Sequence, residues 1–294
     1  MDRTATVEQE LVSRGHMACP GCGAVLAMRY VLNALGRDTI VVMPACCWSV
    51  ITGRHPNNAL YVPVFHTAFE TAACVAAGVR GALTARGKHD THVLAWAGDG
   101  GTFDIGLQAL SGAAERNDDI IFVCYDNEAY MNTGVQRSSA TPHGAWTTTT
   151  PYRQPKQGSK KDIMAIVAAH HVPYAATACV AFPEDFMAKV KRAASVRGFR
   201  FIHALCPCPT GWRSSPDLTV ELGRLAVDSR VFPLYEVEDG LHYRLTYDPP
   251  GTPVANYIKS QGRFNHLKED SIAAMQEDAD RKWRRLMHTM DVKD

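Results

Sequence analysis

No apolar run in this chain of 294 residues approaches the ~20 residues that a membrane-spanning helix requires. An excess of charge of one sign is missing too. Lys and Arg total 31 against 30 for Asp and Glu, a formal net charge of +1. Nothing in that balance favours nucleic acid or an anionic membrane surface as a partner. The N-terminal stretch MDRTATVEQELVSRGHMACP is polar and lacks the apolar centre of a secretory signal, so the expected location is the cytoplasm. There is no internal repeat. What is present is 46% hydrophobic and 21% charged residues, the make-up of a soluble protein with a sizeable core. Cysteine is plentiful, at nine residues. In a reducing compartment that number argues for metal or redox chemistry rather than disulfides.

The most informative stretch runs from Thr91 to Gly134. It opens THVLAWAGDGGTFDIGLQAL and closes DDIIFVCYDNEAYMNTG. Val93, Leu94 and Trp96 read as a buried strand that breaks at Gly98-Asp99-Gly100 and gives way to a helix starting near Thr102. A second strand, Ile120 to Tyr125, delivers Asn127. Asn127 follows Asp99 by 127 − 99 = 28 positions, the length of one helix and one strand. Two consecutive parallel strands therefore bring both side chains to one sheet edge. A carboxylate, an amide oxygen and free loop carbonyls are hard ligands that suit Mg²⁺ carrying phosphates. The glycines let backbone approach closely, and the helix points N–H groups at the anion. The arrangement resembles the thiamine-diphosphate motif, a GDG followed at such a distance by Asn. That resemblance assigns the metal to Asp99, Asn127 and the backbone of Ala129. Asn132 and Thr133, short polar residues further along the loop, are candidates for hydrogen bonds to phosphate or substrate.

Elsewhere the order is βαβ throughout. Helices are predicted over Ala24 to Leu35, from His66-Thr67-Ala68-Phe69-Glu70 to Ala85, over Ile163 to His170 and over Pro183 to Val196. Strands are predicted over Thr39 to Met43, Leu60 to Val64, Tyr174 to Val180 and Phe199 to Leu205. His66 and Glu70, four apart, are expected to share a helix face near the strand ends. Val135 to Tyr152 is a long Thr-, Ser- and Pro-rich connection of the kind that often carries function. The expected fold is α/β, a doubly wound and mostly parallel sheet, with a first domain over 1–228. Residues 229–294 form a hairpin around Asp239-Gly240 and a charged helical tail expected to pack on a partner subunit, as is the N-terminal arm.

Cys19 and Cys22 stand in Cys-Pro-Gly-Cys, Cys46 and Cys47 follow one strand, and Cys206 and Cys208 follow another. Four thiolates, two from the first pair and one from each later pair, suit tetrahedral zinc or an iron–sulfur cluster. The third and fourth come singly from distant loops beside the proposed cofactor edge, which favours an electron-transfer cluster. Cys74, Cys124 and Cys179 lie within a helix or strands and are read as core.

CPGCG, a cysteine 47 − 22 = 25 positions later, HTAFE, GDGGTFDIG, YDNEAYMNTG with SSATP, and CPCPTGW together resemble the β subunit of 2-oxoacid:ferredoxin oxidoreductases. FPLYEVEDG and YIKSQGRFNHL extend the likeness over nearly the whole chain, the pyruvate branch being most similar. The resemblance implies a thiamine-diphosphate-binding fold and oxidative decarboxylation of a 2-oxoacid, usually to acyl-CoA and CO₂. It implies one-electron transfer to a proximal 4Fe–4S cluster held by Cys19, Cys22, Cys47 and Cys208. Gly98, Asp99, Gly100, Asn127, Ala129, Thr133, His66 and Thr67 would contact thiamine diphosphate and Mg²⁺, and Asn132 the substrate. The glutamate that activates thiamine would come from a partner α subunit, with Glu70 as the local alternative. Further clusters would sit on a ferredoxin-like (γ/δ) subunit, and ferredoxin or another acceptor would take the electrons. The competing reading is a non-oxidative thiamine decarboxylase or synthase subunit with a structural zinc; a scaffold that has lost the cofactor is the third.

Overall fold

A computed structural model describes residues 10–54 and 56–291. Residues 1–9 of the polar arm lie outside the described residues. Eight strands form one sheet: β1 (Thr39–Pro44), β2 (Val64–Thr67), β3 (His92–Gly98), β4 (Ile120–Asp126), β5 (Tyr174–Cys179), β6 (Phe199–Leu205), β7 (Tyr235–Glu238) and β8 (His242–Leu245). Their order is β2-β1-β3-β4-β6-β5-β7-β8. The first six run parallel, and the β7–β8 hairpin adds two antiparallel strands beyond β5. The hairpin of residues 229–294 thus belongs to the same sheet.

Alternation along the central strands builds two apolar layers. Leu94 and Trp96 of β3 join Ile121, Val123 and Tyr125 of β4 on one face, with α1 (Gly23–Leu35) and α6 (Pro183–Ser195). Val93, Ala95 and Ala97 join Ile120, Phe122 and Cys124 on the other, under α3 (Ala72–Ala85), α4 (Leu107–Glu115) and α5 (Ile163–Ala168). Both faces are covered, so parallel strands read as continuous apolar runs, as they did in the sequence. A third cluster gathers around Trp212 and Tyr257. It is closed by α8 (Thr219–Asp228), α9 (Val254–Ile258) and the long α10 (Glu269–Asp291). Met275 and Ala279 of α10 are buried there, and Leu286 and Met290 rest on the second layer. Part of the apolar face of the tail thus packs on its own chain. Among the described residues no helix is long and apolar enough to cross a membrane.

Three elements differ from expectation. The strand predicted over Leu60 to Val64 forms at Val64–Thr67 instead. Leu60 and Val62 turn their side chains into the first core layer, and Tyr61 N donates to Leu11 O of the N-terminal arm. Parallel pairing with β1 begins only at the Pro63 carbonyl, which accepts from Val41 N. His66 and Thr67 consequently lie on an edge strand, and Glu70 in the turn before α3, so His66 and Glu70 share no helix face. The helix expected near Thr102 opens as a π-helical turn, Gly100–Asp104, before α4. Gly106 lies so close to the Gly101 carbonyl that a side-chain carbon there would stand 1.9 Å from its oxygen, and the widened turn accommodates this. Cys74, expected in the core, is exposed on α3.

Candidate active site

The chain reverses direction across the sheet between β1 and β3, because β2 lies on one side of β1 and all later strands on the other. Crevices at such switch points, beyond the C-terminal strand ends, are where open α/β sheets bind ligands. Here Cys46-Cys47 follow β1, Asp99 follows β3, Asn127 follows β4, and Cys206 to Cys208 follow β6. Gly98 pairs with Tyr125 in the register. Asp99 and Asn127 leave adjacent strands at one level.

Both are buried. The side-chain amide nitrogen of Asn127 donates to Asp99 Oδ1 at 2.9 Å and to the Ala129 carbonyl oxygen at 2.9 Å, which gathers the three groups at one point. Turned over, the amide would present its oxygen at the same spacing, close to the ~3.0 Å between neighbouring ligands of an octahedron with ~2.1 Å bonds, so the three positions fit a hard dication. Charge points the same way. Asp99, Asp126 and Glu128 are buried carboxylates facing two cations, the partly buried Lys160 and the buried Arg263. His203, whose Nε2 is 2.7 Å from Asp126 Oδ2, is driven toward its neutral form by burial. Burial and then the Asp126 charge raise the Asp99 carboxyl well above the usual carboxylate range. Asp126 itself is brought down to about 2, because Lys160 and His203 outweigh its burial. The uncompensated charge is therefore the one on Asp99, and a dication there would balance it.

Residues around this point form a cavity of about 120 Å³, lined by Gly98 to Gly101, Asn127, Ala129 to Thr133, Phe69, Tyr125 and Ala45 to Cys47. Gly100 is needed: a side-chain carbon there would stand 2.2 Å from the Tyr130 ring. Tyr130 is fixed in turn, its hydroxyl donating to Asp104 Oδ2 at 2.6 Å. The Ser/Thr-rich connection braces the loop. Ser138 Oγ donates to Asp99 Oδ2 at 2.5 Å, Ser139 N to Asp104 Oδ2 at 3.1 Å, and Thr141 Oγ1 to the Glu128 carbonyl at 2.7 Å.

A second cavity of about 230 Å³ adjoins the first and is lined by Cys19, Cys22, Cys47, Cys206 and Cys208, with Met17 and Val50. Cys47, Asn127, Met131 and Asn132 line both cavities. Cys22 is the N-cap of α1, Cys47 the first residue of α2 (Cys47–Ile51), and Cys208 the N-cap of α7 (Pro209–Trp212), its sulfur accepting from Gly211 N at 3.5 Å. Helix N-termini stabilise thiolates. Burial pushes the Cys47 thiol up to about 12, helped by the charges of Cys208, Cys46 and Cys22. Burial likewise takes Cys208 to about 11, with Cys22 and Cys19 adding to it. Cys46 points elsewhere: it caps α2, its N–H donates to Ser49 Oγ, and its thiol meets the Tyr125 hydroxyl. Cys206 is buried in the first core layer. Among the described residues no group of three or more His, Cys, Asp or Glu side chains is gathered tightly enough for a single ion.

A family model described as thiamine pyrophosphate enzyme, C-terminal TPP binding domain, matches residues 45–204, which include Cys47, Asp99 and Asn127. The ketoisovalerate oxidoreductase subunit VorB of Pyrococcus abyssi is 49% identical over 289 residues, covering 95% of this chain and 93% of that protein. The pyruvate synthase subunit PorB of Methanothermobacter marburgensis is 51% identical over 277 residues, covering 93% and 96%. The chain belongs to this family of 2-oxoacid oxidoreductase subunits. The fold agrees with a solved 2-oxoglutarate:ferredoxin oxidoreductase from Magnetococcus marinus with 2-oxoglutarate, coenzyme A and succinyl-CoA bound, at a TM-score of 0.62 and 20% identity over 93% of this chain and 96% of that one. Residues 45–204 of this oxidoreductase subunit are thus a thiamine diphosphate-binding domain.

Of the remaining predicted residues, Asn132 and Thr133 line the first cavity, and Thr133 Oγ1 donates to Gln136 Oε1 at 2.5 Å. His66 and Glu70 are exposed and line neither cavity; Thr67 is half-buried, its hydroxyl 2.5 Å from that of Thr71. Sequence reasoning missed Ser138, Glu128, Lys156, Lys160, Trp212 and Arg263. Lys156 is nearly fully buried, with Nζ donating to the Ser139 carbonyl at 3.1 Å and to the Thr141 carbonyl at 2.5 Å. Burial, with Arg137 and Lys160 nearby, lowers it from 10.5 to about 8. Its folded value lies below its unfolded one, so the unfolded chain binds more protons between those limits, and this group makes stability rise with pH from about 8 to 10.5. In Lys156→Gln that part of the slope should vanish, as denaturant unfolding of the complex at pH 7.5 and 9.5 (about half a unit below and well above the lowered value) would show.

Proposed function

We propose that this chain is the thiamine diphosphate- and 4Fe–4S-bearing β subunit of a complex that oxidatively decarboxylates a 2-oxoacid to acyl-CoA and CO₂. The observation that carries the reading is the shared wall: Cys47, Asn127, Met131 and Asn132 border both the phosphate-loop cavity and the cysteine cavity. A group in either is one side chain from the other. When bound, thiamine diphosphate supplies the electron sink for loss of CO₂, and the cluster takes electrons one at a time.

The chain's own residues supply placement. Asp99, Asn127 and the Ala129 carbonyl would hold Mg²⁺, and Ser138 keeps the Asp99 carboxylate turned toward it. Gly98, Gly100 and Gly101 let backbone N–H groups reach the diphosphate. Asn132 and Thr133 would present amide and hydroxyl groups to substrate or phosphate. Cys19, Cys22, Cys47 and Cys208 would ligate the cluster, a reading supported by their arrangement around a 230 Å³ cavity. Glu70 is exposed outside the cavity. The activating glutamate and the rest of the 2-oxoacid pocket are therefore assigned to an α subunit. Electron exit is assigned to a ferredoxin-like subunit or ferredoxin beyond the Met17–Val50 rim, and coenzyme A to the role of acyl acceptor.

Relatives named for pyruvate and for ketoisovalerate are equally similar, so both acids belong in the test. The complex purified anaerobically through this chain is expected to be brown, to contain iron and acid-labile sulfide, and to bleach with one of these acids and coenzyme A. A colourless complex with zinc and thiamine diphosphate would overturn this in favour of the non-oxidative decarboxylase.

A further inference from the structure

The tail contributes a buried cation that none of these roles uses. Arg263, in a 3₁₀ turn over Gly262–Phe264, is 2% exposed. Its Nη2 donates to Glu128 Oε2 at 2.7 Å and to the Tyr257 hydroxyl at 3.3 Å, and its Nε donates to Gln261 Oε1 at 2.9 Å. The guanidinium lies 4.0 Å from the centre of the Trp212 ring, whose Nε1 donates to the Asn127 carbonyl at 2.9 Å. The Arg263 carbonyl accepts from Trp146 N at 2.9 Å, joining the tail to the Ser/Thr-rich connection.

These contacts converge on an unusual backbone. Glu128, between Asn127 and Ala129, has φ of +70°. A residue with a side chain rarely holds that conformation unless its surroundings over-determine it. Here they do. Asp126 Oδ1 accepts from Glu128 N at 2.9 Å, Thr141 Oγ1 holds its carbonyl, and Lys160 at 2.9 Å and Arg263 grip its carboxylate. The left-handed residue is what turns the Asn127 side chain and the Ala129 carbonyl to the same point, opposite Asp99.

We propose that Arg263 is a positioning residue for the Asp99–Asn127–Ala129 loop, acting through Glu128 and Trp212 to set the loop for Mg²⁺ and diphosphate. This rests on the reading that the loop holds these groups. The test uses the whole complex purified through this chain, stripped of thiamine diphosphate and metal, then titrated with Mg²⁺ at fixed thiamine diphosphate while binding is followed by calorimetry. Arg263→Met should raise the half-saturating Mg²⁺ concentration about tenfold or more, the range found for residues one shell from a metal, with iron content unchanged. Arg263→Lys, which keeps the charge and loses the planar fork, should fall between. Arg263→Met combined with Glu128→Gln should bind Mg²⁺ no better than Arg263→Met alone, because the contact through which Arg263 acts is already gone. A half-saturating concentration within twofold of wild type in Arg263→Met, with only the melting temperature lowered, would overturn the proposal. If that variant fails to fold, an unchanged Mg²⁺ requirement in Arg263→Lys overturns it equally. A wild-type complex that takes up no thiamine diphosphate at any Mg²⁺ concentration would instead bring down the functional reading itself.

Discussion

Asp99→Asn is expected to weaken Mg²⁺-dependent binding of thiamine diphosphate by more than about a hundredfold, since partners one shell further out already cost 10–100-fold. Activity with 2-oxoacid should fall with it. The same change should leave the cofactor-free complex as stable as wild type or more so. Asp99 is a buried carboxylate raised by its burial and by Asp126, with the Ser138 hydroxyl and the Asn127 amide as neutral partners. An amide of the same shape removes the unbalanced charge while keeping a hydrogen-bonding oxygen. Opposite signs for binding and stability are the mark of a residue kept for function against its own energetic cost. Calorimetric titration with thiamine diphosphate and Mg²⁺, paired with thermal melts in chelator, measures both. Unchanged binding in Asp99→Asn would remove this loop as the metal site.

The loop was legible because its parts are local. A buried parallel strand is a run of apolar residues, and Val93 to Ala97 and Ile120 to Tyr125 carry that signal without help from distant contacts. The spacing of Asp99 from Asn127 then follows from the length of one α/β unit. Helices of four or five residues, such as α2 and α7, leave no periodicity to detect, and the backbone of Ala59 and Tyr61 pairs with the N-terminal arm before β2 begins. The charged members of the site were hidden for a different reason. Lys156, Lys160 and Arg263 sit in polar stretches that read as solvated loops. Their burial depends on carbonyls and carboxylates delivered from elsewhere, such as Asp126 and Glu128 at the end of β4. Only the GRF turn inside YIKSQGRFNHL, an apolar residue beside an arginine in an otherwise polar segment, carried a local hint.

The cysteine pairs show where sequence stops and orientation begins. Spacing left Cys46 against Cys47 and Cys206 against Cys208. Cys46 meets the Tyr125 hydroxyl and Cys206 is buried in the first core layer, though Cys206 lines the cysteine cavity as Cys47 and Cys208 do. Cys47 and Cys208 are the ligands proposed. Cys47→Ser should therefore strip most of the visible absorbance and iron from the complex and cut reduction of a one-electron acceptor by more than about a hundredfold. A hydroxyl is a hard and weakly acidic replacement for a soft thiolate. Cys46→Ser should keep iron and activity near wild type. Cys206→Ser should lower the melting temperature, because a buried hydroxyl without a partner costs ~1–3 kcal/mol, yet keep iron in the folded fraction. Iron lost from Cys46→Ser and retained in Cys47→Ser would move the ligand one residue back. Cys47 also borders the phosphate-loop cavity, and Asp99 is among the charges that raise its thiol. Its loss should therefore disturb both cavities, whereas Cys19→Ser, at the exposed outer rim, should empty the cysteine cavity and leave Mg²⁺-dependent thiamine diphosphate binding intact.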